Sequence, residues 1–200
     1  MKERLGFDLV LLGGPGSGKD TQARILQERY SLKPVESGKH WRAMAKKNNA
    51  EGRWLRRTMN RGQYTPVPLM KKFLKNQIST VSSNRDLIFV GNPRLKPEAW
   101  LLKKLLSEKR RDFFVLFIKL PEREVYRRLK KRLSKHERED DSNLAYIKKR
   151  MQWQNPDTNK GIKYFQSINK LRFIKGDQRI KKVAQDIQKA IHDYQRSKRA

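Results

Sequence analysis

The stretch Gly13-Gly14-Pro15-Gly16-Ser17-Gly18-Lys19-Asp20-Thr21 follows the apolar run Leu9-Val10-Leu11-Leu12 and precedes a helical pattern that begins at Gln22. Glycines let backbone N–H groups converge on an anion, the next helix presents its positive end, and Lys19 can reach terminal phosphates. Strand, glycine-rich loop and helix together predict a phosphate-binding loop that holds a nucleoside triphosphate. The alternative is a glycine-rich turn that binds no ligand.

Further strand-like runs alternate with longer helical segments. Their apolar residues are consecutive, which is typical of parallel strands covered by helices on both faces. We therefore predict a doubly wound α/β fold of the P-loop NTPase type, with a five-stranded parallel sheet. Because ligands bind at the carboxyl ends of such strands, Gly13–Thr21, Gly91–Arg94 and Gly176 should converge on one edge. The runs are Asp8–Leu12, Leu87–Val90, Phe113–Ile118 and Leu171–Ile174, with Pro34–Val35 as the candidate fifth.

The 200 residues fit one domain spanning residues 1–200. Between about residues 37 and 68 the pattern changes to short basic helical pieces, which we interpret as an inserted lobe. A second interruption, at about residues 133–139, is too short for a domain and predicts a loop.

The chain is strongly basic, with 49 Lys and Arg against 20 Asp and Glu and a formal charge of +29. Such a field attracts nucleotides, nucleic acid and anionic membranes alike. The basic residues are scattered along helical patterns without an aromatic-basic repeat, which favours solvated helix faces over a nucleic-acid site. We interpret Trp41, Trp100 and Trp153 as core residues, since they lie among helical apolar positions.

Cysteine is absent and the three histidines are far apart, so we expect no disulfide and no zinc site. No apolar run is long enough to span a bilayer. We expect a soluble, cytoplasmic protein without a membrane partner.

Several motifs, in order along the chain, resemble the adenylate kinase-like nucleoside monophosphate kinases in a form with a reduced lid, and the resemblance covers nearly the whole chain. The phosphate-binding loop resembles the first motif of that family. Gly38-Lys39-His40-Trp41-Arg42 resembles its monophosphate-site helix, and Gly91-Asn92-Pro93-Arg94 resembles its Gly-Phe-Pro-Arg turn. Arg128 and Arg132 resemble the arginines before the lid, and Arg138-Glu139-Asp140-Asp141 resembles the motif after it.

The resemblance implies a role for each matching residue. Arg42 and Arg94 would clamp the acceptor monophosphate, because bidentate geometry favours arginine, and Lys19 would follow the transferred phosphate. Arg128 would stack on the donor base and Gly176 would offer it backbone groups. Arg132, Arg138 and Arg150 would surround the donor phosphates, although the spacing to Arg150 is one residue longer than usual and leaves Lys149 as a competitor. The implied ATP-binding residues are Gly14 to Thr21, Arg128 and Gly176; the implied monophosphate-binding residues are Ser37, Gly38, Arg42, Met59, Gln63, Thr65, Gly91, Arg94 and Glu98.

Two departures from the family pattern concern the metal and the acceptor base. Val90 stands where the family has an aspartate that orders the waters of Mg²⁺, and Asp20 stands where the family has glycine. We hypothesise that Mg²⁺ is held through phosphates and water, with Asp20 and Thr21 beside it; the alternative is that Asp20 only complements the helix dipole. Glu98 replaces the glutamine that pairs with adenine, and a carboxylate suits adenine, guanine or cytosine amino groups.

The resemblance thus implies a monomeric phosphotransferase that moves the terminal phosphate of Mg-ATP to AMP, or to GMP or CMP. A catalytically impaired kinase fold that binds nucleic acid is one alternative, motivated by Val90 and the charge. A P-loop ATPase or switch module is another, but it gives no reason for Arg42 and Arg94.

Overall fold

The computed structural model describes the backbone of residues 2–60, 63–133 and 144–198 and the side chains of residues 2–59, 63–131 and 156–198. Each predicted strand is present, and the candidate run Pro34–Val35 lies within a longer strand. In chain order the elements are β1 (Asp8–Gly13), α1 (Lys19–Arg29), β2 (Leu32–Val35), α2 (Ser37–Ala45), α3 (Ala50–Asn60), α4 (Val67–Ser79), β3 (Asp86–Val90), α5 (Lys96–Glu108), β4 (Phe113–Lys119), α6 (Glu122–Leu133), α7 (Leu144–Ser167), β5 (Leu171–Lys175) and α8 (Ile180–Ser197).

The strands form one sheet in the order β2-β3-β1-β4-β5, and every neighbouring pair is parallel. β1 lies at the centre, where Leu9 is in register with Ile88 of β3 and Phe114 of β4. The central strands are buried on both faces, as their consecutive apolar residues predict. The predicted doubly wound α/β fold is confirmed.

Alternate residues of β1 enter two separate cores. Val10 and Leu12 pack on the face that carries α4, α5 and α7, with Phe165 of α7 among the largest buried side chains. Leu9 and Leu11 pack on the opposite face, against α1 and α8. This separation follows from the two-residue period of a strand. Because both faces are covered by apolar side chains, polar groups lie at the ends of the strands.

Buried carboxylates organise the amino ends of the central strands. Asp8 accepts hydrogen bonds from Arg111 Nε at 2.8 Å and from the Leu87 N–H at 2.7 Å. Asp86 accepts the Leu5 N–H at 2.8 Å and Arg4 Nη2 at 2.8 Å. These residues stand at the starts of β1 and β3, so the loops at the opposite edge remain for ligands.

The predicted lobe at residues 37–68 contains α2 and α3, and these two helices pack on each other. A Cβ at Gly52 would lie 2.1 Å from the Lys47 carbonyl oxygen, so only glycine fits where α3 meets the end of α2. The predicted loop at residues 133–139 begins at the last residue of α6, and the remainder of it lies outside the described residues.

The prediction for the tryptophans is correct at Trp41 and wrong at Trp100. Trp41 is 6% exposed and packs with Phe73 of α4. Trp100 is 55% exposed because it lies on the outer face of α5, whereas Ala99 and Leu102 face the core. The side chain of Trp153 lies outside the described residues. None of the described helices combines the length and the apolarity needed to cross a bilayer.

Candidate active site

The glycine-rich loop between β1 and α1 has the backbone of an anion-binding loop. Gly16 and Gly18 have φ values of +74° and +83°, which side chains disfavour, and the Ser17 N–H donates to the Gly14 carbonyl at 3.2 Å. Gly18 directly precedes α1 and has no side chain to cap it. The loop thus leads directly into the amino end of α1, where the helix dipole favours a phosphate.

The turn after β3 lies beside this loop. The Gly91 N–H donates to the Leu11 carbonyl of β1 at 2.9 Å, and a Cβ at Gly91 would lie 3.0 Å from Lys19 Cε. Arg94 Nε donates to the Gly91 carbonyl at 2.9 Å. The fold thus places the lysine of the phosphate-binding loop and the arginine of the second motif against the same glycine. The peptide bond between Asn92 and Pro93 in this turn is cis.

Glu98 supports the backbone of Arg94. It is 2% exposed, and its Oε2 accepts the N–H groups of Arg94 at 2.8 Å and Leu95 at 3.3 Å. Burial raises the pKa of the Glu98 carboxyl, which these hydrogen bonds and the charge of Arg94 oppose. The sequence predicted that the Glu98 carboxylate recognises the acceptor base. One of its oxygens is hydrogen-bonded at the start of α5, and recognition of a base by Glu98 stays a prediction.

Arg128 of α6 joins the phosphate-binding loop to the loop after β5. Its Nη1 donates to the Gly16 carbonyl at 3.2 Å and its Nη2 donates to the Gly176 carbonyl at 2.9 Å. Glu124 accepts from Arg128 Nε at 2.6 Å and also pairs with Arg127, and these two arginines lower the pKa of Glu124 to about 2. The Gly16 and Gly176 carbonyls belong to loops that are far apart in the sequence, and one guanidinium contacts both. These two loops therefore converge as predicted.

A polar cavity of about 580 Å³ opens beside Arg128. Sequence reasoning identified Arg128 in its wall and missed the rest of the lining. Their positions along the chain were the available signal, because the missed residues either directly follow Gly176 or lie between the end of β4 and Arg128. The lining residues are Pro121, Arg123, Glu124, Arg127, Arg128, Asp177, Gln178 and Arg179.

The predicted monophosphate-site residues of the lobe lie on and after α2 and α3. Arg42 folds back over the start of α2, where a Cβ at Gly38 would lie 3.3 Å from Arg42 Nη1, and Ser37 is buried at the first position of that helix. Met59 packs against the core, and Gln63 and Thr65 follow α3. Arg42 contacts the start of its own helix, α2, whereas Arg94 contacts Gly91 in the turn after β3. The predicted joint clamp of the two arginines on one phosphate stays a prediction.

Tyr64 is a residue that sequence reasoning did not single out. Its hydroxyl is hydrogen-bonded to Thr158 of α7, and the charges of Arg94, Asp157 and Glu98 act on it. Burial raises its pKa. Tyr64 therefore links the segment after α3 to α7 and to the surroundings of Arg94.

Three predicted arginines cannot be compared with this geometry. Arg138 lies outside the described residues. Arg132 and Arg150 belong to α6 and α7, but their side chains are outside the described part of those helices.

The residues expected near Mg²⁺ lie at the ends of neighbouring elements. Val90 is buried at the end of β3, while Asp20 and Thr21 stand in the first turn of α1. Among the residues that the structure describes, no three His, Cys, Asp or Glu side chains are grouped to hold a metal ion. The hydroxyl of Thr21 and the carboxylate of Asp20 are hard oxygen donors of the kind that Mg²⁺ accepts beside phosphates.

A glycine-rich loop at the carboxyl edge of a parallel α/β sheet, with Lys19 and Arg94 at the adjoining turn, defines a P-loop nucleotide-binding protein. A family model described as adenylate kinase matches residues 11–170. The chain is 32% identical over 186 residues to the adenylate kinase of a Bacteroides fragilis strain, covering 92% of this chain and 98% of the relative. The adenylate kinase of Azobacteroides pseudotrichonymphae is 32% identical over 186 residues, covering 92% and 97%. That of Leptospira biflexa is 29% identical over 184 residues, covering 92% and 98%.

The chain belongs to the adenylate kinase family. It is therefore a phosphotransferase of the nucleoside monophosphate kinase class, as the resemblance of its motifs implied.

Proposed function

We propose that the chain catalyses reversible transfer of the terminal phosphoryl group of Mg-ATP to AMP, which yields two molecules of ADP. The observation that carries this proposal is the position of Gly91, which contacts Lys19 of the donor loop and accepts a hydrogen bond from Arg94. Transfer between two nucleotides needs a donor phosphate and an acceptor phosphate side by side, and this arrangement provides a cation for each.

These residues suit direct in-line transfer of the phosphoryl group from donor to acceptor, without a covalent intermediate on the protein. The N–H groups at the start of α1 and the Lys19 ammonium would hold the donor phosphates and the group in transfer. Arg94 would hold the acceptor phosphate, and its backbone is held in turn by Glu98. Catalysis then depends on position and on charge stabilisation, because phosphoryl transfer requires little covalent participation by the protein.

The donor base is assigned to the cavity beside Arg128. The two hydrogen bonds of its guanidinium to Gly16 and Gly176 lie in the plane of the group. These hydrogen bonds do not use the faces of the guanidinium, and we propose that one of these faces stacks on the donor base. The backbone of the loop that begins at Gly176 would offer hydrogen bonds to the edge of the base.

The lobe at residues 37–68 is assigned to the acceptor nucleoside. Arg42 would complete the clamp on the monophosphate, together with the start of α2 at Ser37 and Gly38. Met59, Gln63 and Thr65 would border the base, with Glu98 as the candidate for base selection. AMP is proposed because the named relatives are adenylate kinases, and GMP and CMP remain the acceptors to compare.

Closure over the donor phosphates is assigned to the short loop at residues 133–139. Arg138 of this loop, with Arg132 before it and Arg150 after it, would approach the phosphates when the loop closes, since a short loop needs only a small movement to exclude water. We propose a monomer, because one chain supplies both phosphate sites.

Mg²⁺ would be held by the donor phosphates and water, with Thr21 and Asp20 beside it. When bound, the ion neutralises phosphate charge and orients the donor. Val90 offers no oxygen, so Asp20 is the carboxylate that this chain provides at the loop.

The test is transfer from Mg-ATP to AMP, GMP, CMP and UMP, with separated products and a control lacking acceptor. We expect ADP formation that depends on acceptor and is fastest with AMP. Arg94→Ala should lower kcat/KM by about 10²-fold or more, because it removes a charge contact at the transferring phosphates. Arg196→Ala, on an exposed arginine of α8, is the matched control. Hydrolysis at the same rate with and without acceptor would instead identify an ATPase.

A further inference from the structure

Helices α4 and α5 pack on each other and carry lysines on their exposed sides. We define the α4–α5 face as the exposed side of these two helices, which includes Trp100. The buried residues of both helices, such as Leu74 and Leu102, enter the core beneath the sheet. Its lysines are Lys71, Lys72 and Lys75 on α4 and Lys96, Lys103 and Lys104 on α5, and all of them are exposed.

The lysines of this face are unmatched by acidic groups. α4 contains no acidic residue, and on α5 Glu98 is buried, which leaves Glu108 as its exposed carboxylate. None of the six lysines forms an ion pair with a carboxylate in the described part of the chain. Other helices differ, since Lys182 pairs with Asp186 on α8 and Arg127 pairs with Glu124 on α6. The charge of the α4–α5 face is therefore available to a polyanion.

Trp100 lies beside Lys104 with its ring accessible. It is 55% exposed, and the Lys104 ammonium lies 5.6 Å from the ring centroid, within cation–π distance. An indole in this setting offers a flat surface for stacking directly beside a cation. Proteins that bind single strands combine these two groups, with cations on the phosphates and an aromatic ring stacked on a base.

We propose that the α4–α5 face binds single-stranded nucleic acid, with the lysines on successive phosphates and a base stacked on Trp100. A duplex keeps its base faces covered, so it could use the charges but not the indole. An anionic bilayer would require several exposed apolar groups, and among the exposed residues of α4 and α5 Trp100 is the one large apolar side chain. The residues proposed for phosphoryl transfer lie at the carboxyl edge of the sheet and include none of the lysines of this face.

The proposal predicts a specific salt dependence. Neutralising about six phosphates of a single strand releases their counterions, which gives a slope of about −4 for log K against log salt concentration. Stacking on an aromatic ring depends little on salt, so removal of Trp100 should weaken binding without changing that slope.

The experiment is fluorescence anisotropy of labelled single-stranded RNA, single-stranded DNA and duplex DNA with the full chain, at several salt concentrations. We expect both single strands to bind more tightly than the duplex. The variant K71Q/K72Q/K75Q should lower affinity at least about 10-fold and reduce the slope by about 2. The control K181Q/K182Q/K189Q removes the same charge from α8, on the opposite face of the sheet, and should change affinity less than about 3-fold.

Trp100 is tested separately from charge. Trp100→Ala should weaken single-strand binding about 5-fold or more with an unchanged slope, and Trp100→Phe should restore most of it, because phenylalanine also stacks. Phosphoryl transfer should stay unchanged in every variant, which confirms folding and separates this face from the active site.

Four results would each overturn the proposal. Equal loss of affinity in the α4 and α8 variants would mean that diffuse charge attracts nucleic acid. Unchanged binding by Trp100→Ala, or equal affinity for duplex and single strands, would mean that no base stacks on Trp100. Binding to phosphatidylserine vesicles through Trp100, with no binding to single strands, would assign the face to membranes.

Discussion

Arg94 donates from its Nε to the carbonyl oxygen of Gly91 at 2.9 Å, three residues earlier in the chain. The backbone N–H of Arg94 is also bound, by Glu98, so both its main chain and its guanidinium have defined positions. Pre-positioned charge is the form of catalysis that phosphoryl transfer needs most, since the protein then reorganises little during the reaction.

Arg94→Lys should therefore lower kcat/KM for phosphoryl transfer by about 10²-fold, although the charge is retained, because an ammonium cannot bind phosphate in a bidentate manner while also contacting the Gly91 carbonyl. Steady-state kinetics with AMP measure this effect. Arg196→Lys on α8 should leave the kinetics unchanged. Wild-type kinetics for Arg94→Lys would mean that position 94 supplies charge alone.

Glu98 offers a test that separates support of the backbone from base selection. Glu98→Ala should lower the free energy of unfolding by about 1–2 kcal/mol, because two N–H groups at the start of α5 lose their acceptor. Glu98→Gln keeps an acceptor oxygen and should unfold nearly as the wild type does. Urea unfolding of both variants is the measurement.

The acceptor panel with Glu98→Gln then reports on the base. A shift of preference between AMP, GMP and CMP would show that the side chain reads the acceptor. An unchanged order of preference among the acceptors would mean that Glu98 only supports the backbone at the start of α5.

Asp20 is expected to substitute for the carboxylate that Val90 lacks. Asp20→Asn and Asp20→Gly should weaken apparent Mg²⁺ affinity about 10-fold, because groups that hold metal-bound water contribute about that much. Titration of Mg²⁺ at constant ATP measures it, and Val90→Asp added to Asp20→Gly should recover part of the loss. An unchanged Mg²⁺ dependence in Asp20→Gly would leave Asp20 with a helix-dipole role only.

The hydrogen bonds of Asp112 should make the stability of the fold depend on pH in acid. Partial burial by itself would raise its pKa, but hydrogen bonds from Lys170 at 2.7 Å, from Lys198 and from Tyr194 at 2.9 Å outweigh burial and lower the pKa from 3.8 to about 2. Since the folded state favours the ionised form, this stabilisation is present above about pH 4 and is lost as the pH falls toward 2.

Asp112→Asn should therefore lower the free energy of unfolding at pH 7 by about 1–2 kcal/mol, discounted for solvent screening, and by much less at pH 2. Urea unfolding across this pH range is the measurement. Asp193→Asn, in an exposed pair with Arg196, is the control and should have a small effect at either pH. An equal loss at both pH values would contradict the ionic origin of the effect.

Asn92 is 1% exposed, and neither polar atom of its carboxamide has a hydrogen-bond partner among the described residues. Removing an unpaired buried amide relieves its desolvation cost, so Asn92→Leu should raise the free energy of unfolding by about 1 kcal/mol. Thermal and urea unfolding check this, with Asn84→Leu at an exposed position as control. A loss of stability would mean that position 92 requires a polar group.

Local patterns in the sequence were sufficient for the phosphate-binding loop and for the sheet. Gly13–Thr21 between an apolar run and a helical run has one structural interpretation, because backbone geometry, helix dipole and charge all act within a few residues. The buried strands were equally clear, since consecutive apolar residues need cover on both faces. The motifs also resemble those of the adenylate kinase family, and the family model and the relatives confirm that membership.

Only the tertiary structure decided which distant residues share a contact. Arg128 and Gly176 are 48 positions apart and meet because β4 and β5 are neighbours in the sheet. Trp100 occupies a helical apolar pattern, yet α5 turns it outward beside Lys104. Burial and charge at a position depend on which helix packs beside it, and that neighbour is set by the three-dimensional order of the strands, which a local pattern does not contain.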